Sequence, residues 1–98
     1  MNLGKVVGTL VSTRKEESLN GLRFMLVKFA DERGEFSGGQ VVAVDAVGAG
    51  VGEYVLIASG SSARQTERTD GKPCDAVIMA IVDTWDIEGD TVYTKDPS

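Results

Sequence analysis

The sequence has no histidine and a single cysteine, Cys74. Without imidazole, the chain cannot build a Ser–His or Cys–His nucleophile pair or a histidine-containing zinc site. One cysteine cannot form a disulfide within the chain, which favours a reducing compartment, and we therefore expect a cytoplasmic protein. Cys74 itself is expected to be a packing thiol.

Long hydrophobic runs and an excess of basic residues are also missing. No stretch of about 18 apolar residues is present, and the first residues lack the pattern of a signal peptide, so no membrane partner is expected. The net charge is −5 and the pI about 4.6, whereas nucleic-acid binding depends on clustered Lys and Arg. Aromatic residues are only 6% of the chain, too few for a base-stacking platform. We therefore expect no nucleic-acid partner.

What the sequence does contain is typical of strands and tight turns. Twelve glycines against two prolines favour a mainly β domain, and 98 residues suffice for one domain, residues 1–98. Runs rich in β-branched residues, separated by glycine-containing turns, predict its strands. These are Leu3–Thr13, Leu22–Ala30, Gln40–Ala46, Glu53–Ser59 and Asp75–Ile87, with a short last strand at Thr91–Thr94.

The stretch Val41–Arg64 is the centre of this pattern. Its three glycines, Gly48, Gly50 and Gly52, stand between two strands and indicate a sharp chain reversal. A nucleotide-binding loop is the alternative, but the Rossmann pattern is G-x-G-x-x-G and opens a helix. Here the spacing differs and a β-rich run follows. We therefore favour the turn.

One short helix is predicted between the fourth and fifth strands. Ser61 or Ser62 could cap a polar helix from Ala63 to Arg68. The same loop ends at the positively charged Arg64 and could instead line an aperture that attracts anions. The residues alone do not decide between the helix start and the aperture. The predicted fold is an all-β (mainly β), closed or nearly closed five-stranded barrel with this helix and a short C-terminal strand.

The fourth strand is apolar on both of its faces. Val55 and Ile57 point one way, and Tyr54 and Leu56 point the other. A barrel core uses only one face, so the other needs a partner, and a second copy of the chain is the simplest one. We expect a homo-oligomer with Tyr54, Leu56 or Ile57 at a subunit interface.

No pattern predicts a catalytic, cofactor-binding or metal-binding site. The carboxylates of Asp45, Asp75, Asp83 and Asp86 could serve acid–base chemistry or hold a hard cation, but no spacing pairs them. We expect them at solvated strand ends or in turn hydrogen bonds. A small catalytic barrel that uses carboxylates remains a hypothesis that no motif supports, so the chain is not expected to be an enzyme.

Three segments, in order, closely resemble the pentameric vertex proteins of bacterial microcompartments, the EutN/CcmL family. They read GTLVSTRKEESLNGLRFMLV, VAVDAVGAGVGEYVLIASGSSAR and PCDAVIMAIVD. The resemblance runs from Gly4 to about Asp86. Its most specific part is the D-x-V-G-A-G-x-G-E turn followed by G-S-S-A-R.

The resemblance implies an OB-like barrel that assembles into homopentamers. Such rings fill the five-fold vertices of an icosahedral shell whose facets consist of hexameric shell proteins, so the implied role is structural. It also makes Arg14 and Lys15 candidates for contact with shell hexamers. The candidate loop at the five-fold axis comprises Ser61, Ser62, Ala63 and Arg64.

A second function fits the same fold. Many OB domains bind single-stranded nucleic acid, although the acidic pI and scarce aromatic residues weigh against this here. The sequence leaves open which compartment a vertex protein would serve: carbon-fixing, ethanolamine, diol or glycyl-radical.

Overall fold

The structure is a computed structural model that describes residues 1–11, 21–60 and 76–95. These residues form seven strands and confirm the all-β prediction, whereas the predicted helix at 63–68 lies outside them. The strands are β1 (Asn2–Leu10), β2 (Phe24–Ala30), β3 (Phe36–Asp45), β4 (Tyr54–Ser59), β5 (Ala76–Ile81), β6 (Thr84–Ile87) and β7 (Asp90–Thr94).

Five of these strands close into a barrel in the order β1-β2-β3-β5-β4, with β4 returning to β1. All neighbours are antiparallel except β3 and β5, which run parallel through Val44–Asp45 and Val77–Ile78. Closure pairs the backbone groups that would otherwise lie at sheet edges. The predicted small five-stranded barrel is thus confirmed.

The core consists of aliphatic side chains that alternate inward along the barrel strands. Burial of a side chain of this size stabilises the fold by roughly 1.5–3 kcal/mol. Gly4 lies among them because there is no room for a side chain: a Cβ there would stand 2.6 Å from Val27 Cγ1 and 2.8 Å from Ile57 Cδ1. The buried core residues are Val6, Met25, Val27, Ala43, Ala49, Val55, Ile57, Ala76 and Ile78.

The run 75–87, predicted as one strand, is two. β5 pairs with β4 as far as Ile81, whose partner is Val55, and the Val82 N–H donates to the Tyr54 carbonyl at 2.9 Å. Because β4 begins at Tyr54, the residues after Val82 have no β4 residue left to pair with, and the chain leaves the barrel. It then pairs with β7 as a two-stranded hairpin, which we call the C-terminal hairpin.

β3 begins at Phe36, four residues before the predicted start at Gln40. Phe36 pairs with Ala30, and the ladder shifts register between Lys28 and Ala30. Gly38 and Gly39, which suggest a turn in the sequence, adopt positive φ inside this irregular part of the strand. Glycine tolerates that conformation, so it allows a bulge here as readily as a turn.

Candidate functional site

Most residues that the sequence singles out for function lie outside the described part of the chain. They are Ser61, Ser62, Ala63 and Arg64 for the five-fold axis, Arg14 and Lys15 for hexamer contacts, and Cys74 and Asp75. The structure describes the three interface candidates on β4 and the carboxylates of Asp45, Asp83 and Asp86.

The interface candidates on β4 divide between the two sides of the barrel wall. Ile57 points inward and is only 1% exposed, packed in the core beside Val55. The alternation of a strand sends Tyr54 and Leu56 to the outside, where both are half-buried. Ile57 is therefore a core residue with no surface for a neighbour, and only Tyr54 and Leu56 remain interface proposals.

Tyr54 is already engaged within its own chain. Its hydroxyl donates to the Gly34 carbonyl at 2.7 Å, and its ring meets Trp85 and Tyr93 edge-on at centroid distances of 5.2 and 4.7 Å. Burial raises the pKa of the Tyr54 phenol, with smaller contributions from Tyr93 and Asp31. The outward side of β4 at this end is thus covered by the C-terminal hairpin.

Trp85 fastens the hairpin to a second part of the barrel. Its ring stacks on Tyr93 at 4.9 Å, and its Nε1–H donates to the Glu32 carbonyl in the β2–β3 turn at 2.8 Å. This cluster is not among the features predicted from the sequence. The available signal is the Glu88-Gly89 turn, which places Trp85 opposite Tyr93 in the hairpin.

The glycine turn between β3 and β4 is fixed by Asp45. The Asp45 Oδ1 accepts hydrogen bonds from the backbone N–H groups of Val47, Gly48 and Ala49 at 3.0, 3.0 and 3.1 Å. Arg23 Nη1 lies 3.2 Å from the other carboxylate oxygen and balances its charge. Asp45 makes turn hydrogen bonds, as the sequence predicts, but it is buried instead of solvated.

Glu53 completes the turn from its other end. One carboxylate oxygen accepts the Gly50 N–H and the other forms an ion pair with Lys95, which follows the hairpin. The hydrogen bond from Lys95, followed by that from Gly50, lowers the pKa of Glu53. In the same turn, the Gly52 N–H donates to the Val6 carbonyl at 2.8 Å.

These contacts decide against a phosphate-binding loop. Phosphate sites need several backbone N–H groups that point freely at the ligand. Here the N–H groups of Gly48, Gly50 and Gly52 donate to Asp45, Glu53 and Val6 respectively. The turn interpretation is confirmed, and the two carboxylates are committed to holding it.

The remaining carboxylates do not gather into a site. Asp83 and Asp86 lie exposed at the start of the hairpin. Within residues 1–11, 21–60 and 76–95, no three acidic or cysteine side chains come close enough to hold a metal ion. The same residues contain no helix long and apolar enough to cross a membrane.

Outside the barrel core, the described residues include a buried cluster of Val44, Ala58 and Val77, against which Phe24 packs, and two further groups of apolar side chains. The first, which we call the β2 face, comprises Leu10, Phe24, Leu26 and Val42, in cross-strand pairs over β1, β2 and β3. The second, the β4 face, comprises Leu3, Leu56, Met79 and Ala80 over β1, β4 and β5. Contiguous exposed apolar surface of this kind marks a site of association.

The fold and these surfaces define a class of protein: a small closed β-barrel with apolar outer faces, in which Asp45 and Glu53 hold the turn between β3 and β4. Comparison with known proteins identifies the family. Residues 1–83 match the model of the EutN_CcmL family, described as ethanolamine utilisation protein EutN/carboxysome. The chain belongs to the EutN/CcmL family.

Relatives match over almost the entire chain. The carboxysome shell vertex protein CcmL of Synechococcus elongatus is 48% identical over 95 residues, 97% of this chain and 96% of that protein. The solved structure of Gloeobacter violaceus CcmL superposes with a TM-score of 0.91 at 42% identity, covering 97% of this chain and 98% of that one. The pentameric microcompartment shell protein GrpN from Rhodospirillum rubrum superposes with a TM-score of 0.81 at 46% identity, covering 89% and 99%.

Proposed function

We propose that this protein is a structural, non-catalytic component of a bacterial microcompartment shell, forming homopentamers at the five-fold vertices. The observation that carries the proposal is the match to GrpN, a pentameric shell protein, over 99% of the GrpN chain. The match to the vertex protein CcmL, over 96% of its length, supports the same role. The protein would lie in the cytoplasm, within the shell, as one domain of 98 residues.

Geometry explains why such a shell needs a five-fold protein. Hexagonal units tile a flat sheet, and the sheet closes into a container only if some positions are five-fold. A pentamer of a small barrel would supply those positions and would contact the surrounding hexameric shell proteins. Closing a shell requires no catalysis. This agrees with the observation that the carboxylates of Asp45 and Glu53 hold the β3–β4 turn.

Two groups of residues are proposed for the assembled ring. Arg14 and Lys15 would contact neighbouring hexamers, and the loop of Ser61–Arg64 would lie near the five-fold axis. Reversing the charges of Arg14 and Lys15 should then leave the isolated ring intact and impair shell closure. Native mass spectrometry reports the ring, and electron microscopy of shells co-expressed with a hexameric shell protein reports closure. Loss of the pentamer in this variant would argue against a hexamer-contact role.

Native mass spectrometry of the purified protein tests the proposal as a whole. The expected result is one species of five subunits, each of 10.4 kDa. The alternative function, single-stranded nucleic-acid binding by an OB-type barrel, predicts a monomer that retards a labelled oligonucleotide in a mobility-shift assay. A monomer at micromolar concentration would overturn the vertex proposal.

A further inference from the structure

The base of the C-terminal hairpin contacts two turns of the barrel. In the β2–β3 turn, the Glu32 carbonyl accepts the Trp85 Nε1–H at 2.8 Å. In the β3–β4 turn, Glu53 forms an ion pair with the Lys95 ammonium group. The backbone N–H of Lys95 donates to the Asp83 carbonyl at 2.7 Å, which closes the base of the hairpin. One short hairpin therefore holds two turns that are distant from each other in sequence.

The β2–β3 turn fits tightly against this base at Gly34. The Gly34 carbonyl accepts the Tyr54 hydroxyl at 2.7 Å, and the Gly34 N–H donates to the Asp31 carbonyl within the turn at 3.0 Å. A Cβ at Gly34 would stand 3.1 Å from the Tyr54 hydroxyl oxygen and 3.4 Å from the Trp85 ring. The turn therefore cannot move relative to the hairpin without disturbing Tyr54 or Trp85.

Glu53 connects the hairpin to the backbone of the β3–β4 turn. One of its carboxylate oxygens accepts the Gly50 N–H, and the other pairs with Lys95. Tyr54, the next residue along the chain, meets the Trp85 ring edge-on at a centroid distance of 5.2 Å. Two consecutive residues thus bind the hairpin, one through a carboxylate and one through a ring. Any opening of the hairpin breaks both contacts.

These contacts form a continuous chain from the β2–β3 turn, through the aromatic cluster, to Lys95 and the β3–β4 turn. Proteins open locally in contiguous cooperative units. We propose that the hairpin is a clasp that couples the two turns, so that the hairpin and both turns open together while the barrel strands stay paired. Coupling of this kind is reciprocal. A molecule that binds either turn in its observed form would therefore also stabilise the hairpin and the other turn.

Removal of the Lys95 charge tests the coupling from one end. Lys95→Met keeps the aliphatic stem and loses the ion pair with Glu53, and hydrogen exchange is measured on the intact protein at one concentration. Protection should fall about twofold to fivefold at Gly50, and by the same factor at Gly34 in the other turn. Arg33→Gln is the matched control, because it removes one positive charge at an exposed position. It should leave the protection of the hairpin and of Gly50 unchanged.

A methyl group at Gly34 tests the coupling from the other end. Gly34→Ala places a Cβ against Tyr54 and Trp85, so the fluorescence of Trp85, the only tryptophan of the chain, should shift to the red. Protection at Gly50 should fall by the same factor as protection in the hairpin. Gly38→Ala is the control: its φ of 96° is positive, like the 81° of Gly34, but its Cβ would meet no atom of the described residues within 4 Å. It introduces the same kind of backbone strain and should leave the clasp unchanged.

The two variants make the inference falsifiable in both directions. If Lys95→Met lowers protection only at Gly50, or Gly34→Ala lowers it only around Trp85, the turns open independently and the inference is overturned. An equal loss at Val27 in the core would show that the entire barrel opens, which also contradicts a local clasp. Native mass spectra of each variant keep this result separate from the proposed function. A pentamer with uncoupled turns would remove the clasp alone, and coupled turns in a protein that is not pentameric would remove the vertex proposal alone.

Discussion

The barrel and the C-terminal hairpin are held together by different interactions. In the barrel, five strands close a continuous backbone ladder around aliphatic side chains such as Val27 and Ile57. The hairpin has two strands, which are marginal alone, and it is attached by the ring cluster of Tyr54, Trp85 and Tyr93. The family match ends at Asp83, one residue before the hairpin begins. The family model therefore covers the barrel, while CcmL relatives match this chain through the hairpin as well.

This difference predicts two levels of stability in one small chain. Regions with few buried apolar contacts open at lower free energy than the core of the same protein. We expect the hairpin to open locally while the barrel remains closed. Substitutions in the barrel should lower the free energy of global unfolding, and substitutions in the hairpin should change only its local opening.

The largest effect on global unfolding is expected for Gly4→Ala in the barrel. The added methyl group would stand 2.6 Å from Val27 Cγ1 and 3.0 Å from the Lys28 carbonyl oxygen, a backbone atom that cannot move aside easily. Overpacking of this kind should lower the free energy of unfolding by about 1–3 kcal/mol, as measured by denaturant titration at a fixed protein concentration. Gly8→Ala on the same strand is the control, because its Cβ would meet nothing closer than Leu26 Cβ at 3.9 Å. Equal losses in both variants would contradict the packing argument.

Removal of the Trp85 ring should have a large but local effect. Trp85→Ala loses the stack on Tyr93, the edge contact with Tyr54 and the bond to the Glu32 carbonyl. If the free energy that holds the hairpin against the barrel falls by roughly 3 kcal/mol, the hydrogen-exchange protection of hairpin amides should fall about a hundredfold. Barrel amides should keep their protection, and the oligomeric state should not change.

Trp85→Phe sharpens this measurement because it keeps a ring against Tyr93 and loses only the Nε1–H donor. It should show an intermediate loss of protection in the hairpin. If Trp85→Ala lowers protection equally in β1 and β6, the hairpin and the barrel are one cooperative unit, and the comparison fails.

The same contrast explains what the sequence could predict. Barrel strands were predictable as runs rich in β-branched and apolar residues between glycine-containing turns, such as Val55, Leu56 and Ile57. The direction of Ile57 could not be chosen from that pattern, since both faces of the strand are apolar. Only the closed topology shows that Ile57 points into the core and Leu56 outward.

The break between β5 and β6 left no comparable signal. Apolar residues continue from Ile81 through Trp85 to Ile87 while the pairing partner changes from β4 to β7. The alternation of side chains along a strand indicates which side of the sheet a residue faces, but it does not indicate which strand pairs with it. The contact of Tyr54 with Trp85 joins residues that are distant in sequence, so it too depends on the tertiary fold.

Because Glu53 lies in the β3–β4 turn of the barrel, its ion pair with Lys95 should make a smaller, pH-dependent contribution to global stability. The pKa of Glu53 is lowered below its ordinary value of 4.5, so its stabilisation is fully present above pH 4.5 and is lost as the pH falls through the lowered pKa. The pKa of Lys95 is raised, so its share is lost only as the pH rises above 10.5. Between these limits, Glu53→Gln should lower the Tm by on the order of 1–2 °C.

A pH series distinguishes the ion pair from a simple packing change. The difference in Tm between wild type and Glu53→Gln should shrink as the pH is lowered below 4.5, because the wild-type carboxylate becomes protonated. Glu35→Gln, at an exposed position in the β2–β3 connection, is the control and should show no such trend. A constant difference from pH 7 down to pH values well below 4.5 would show that the effect of Glu53→Gln does not depend on the charge of Glu53, and would contradict the ion-pair argument.

A change of opposite sign, a stabilising one, should come from the turn of the hairpin. Glu88 has a φ of 51° and is followed by Gly89 at 86°, so both central turn residues adopt the left-handed region. Asn-Gly is the preferred pair for such a turn, and Glu is less suited to its first position. Glu88→Asn should therefore raise the opening free energy of the hairpin by about 0.5–1 kcal/mol, read from hydrogen exchange of β6 and β7. Glu88→Gln removes the same charge without the turn preference, so equal gains in the two variants would show that charge, and not backbone conformation, limits the hairpin.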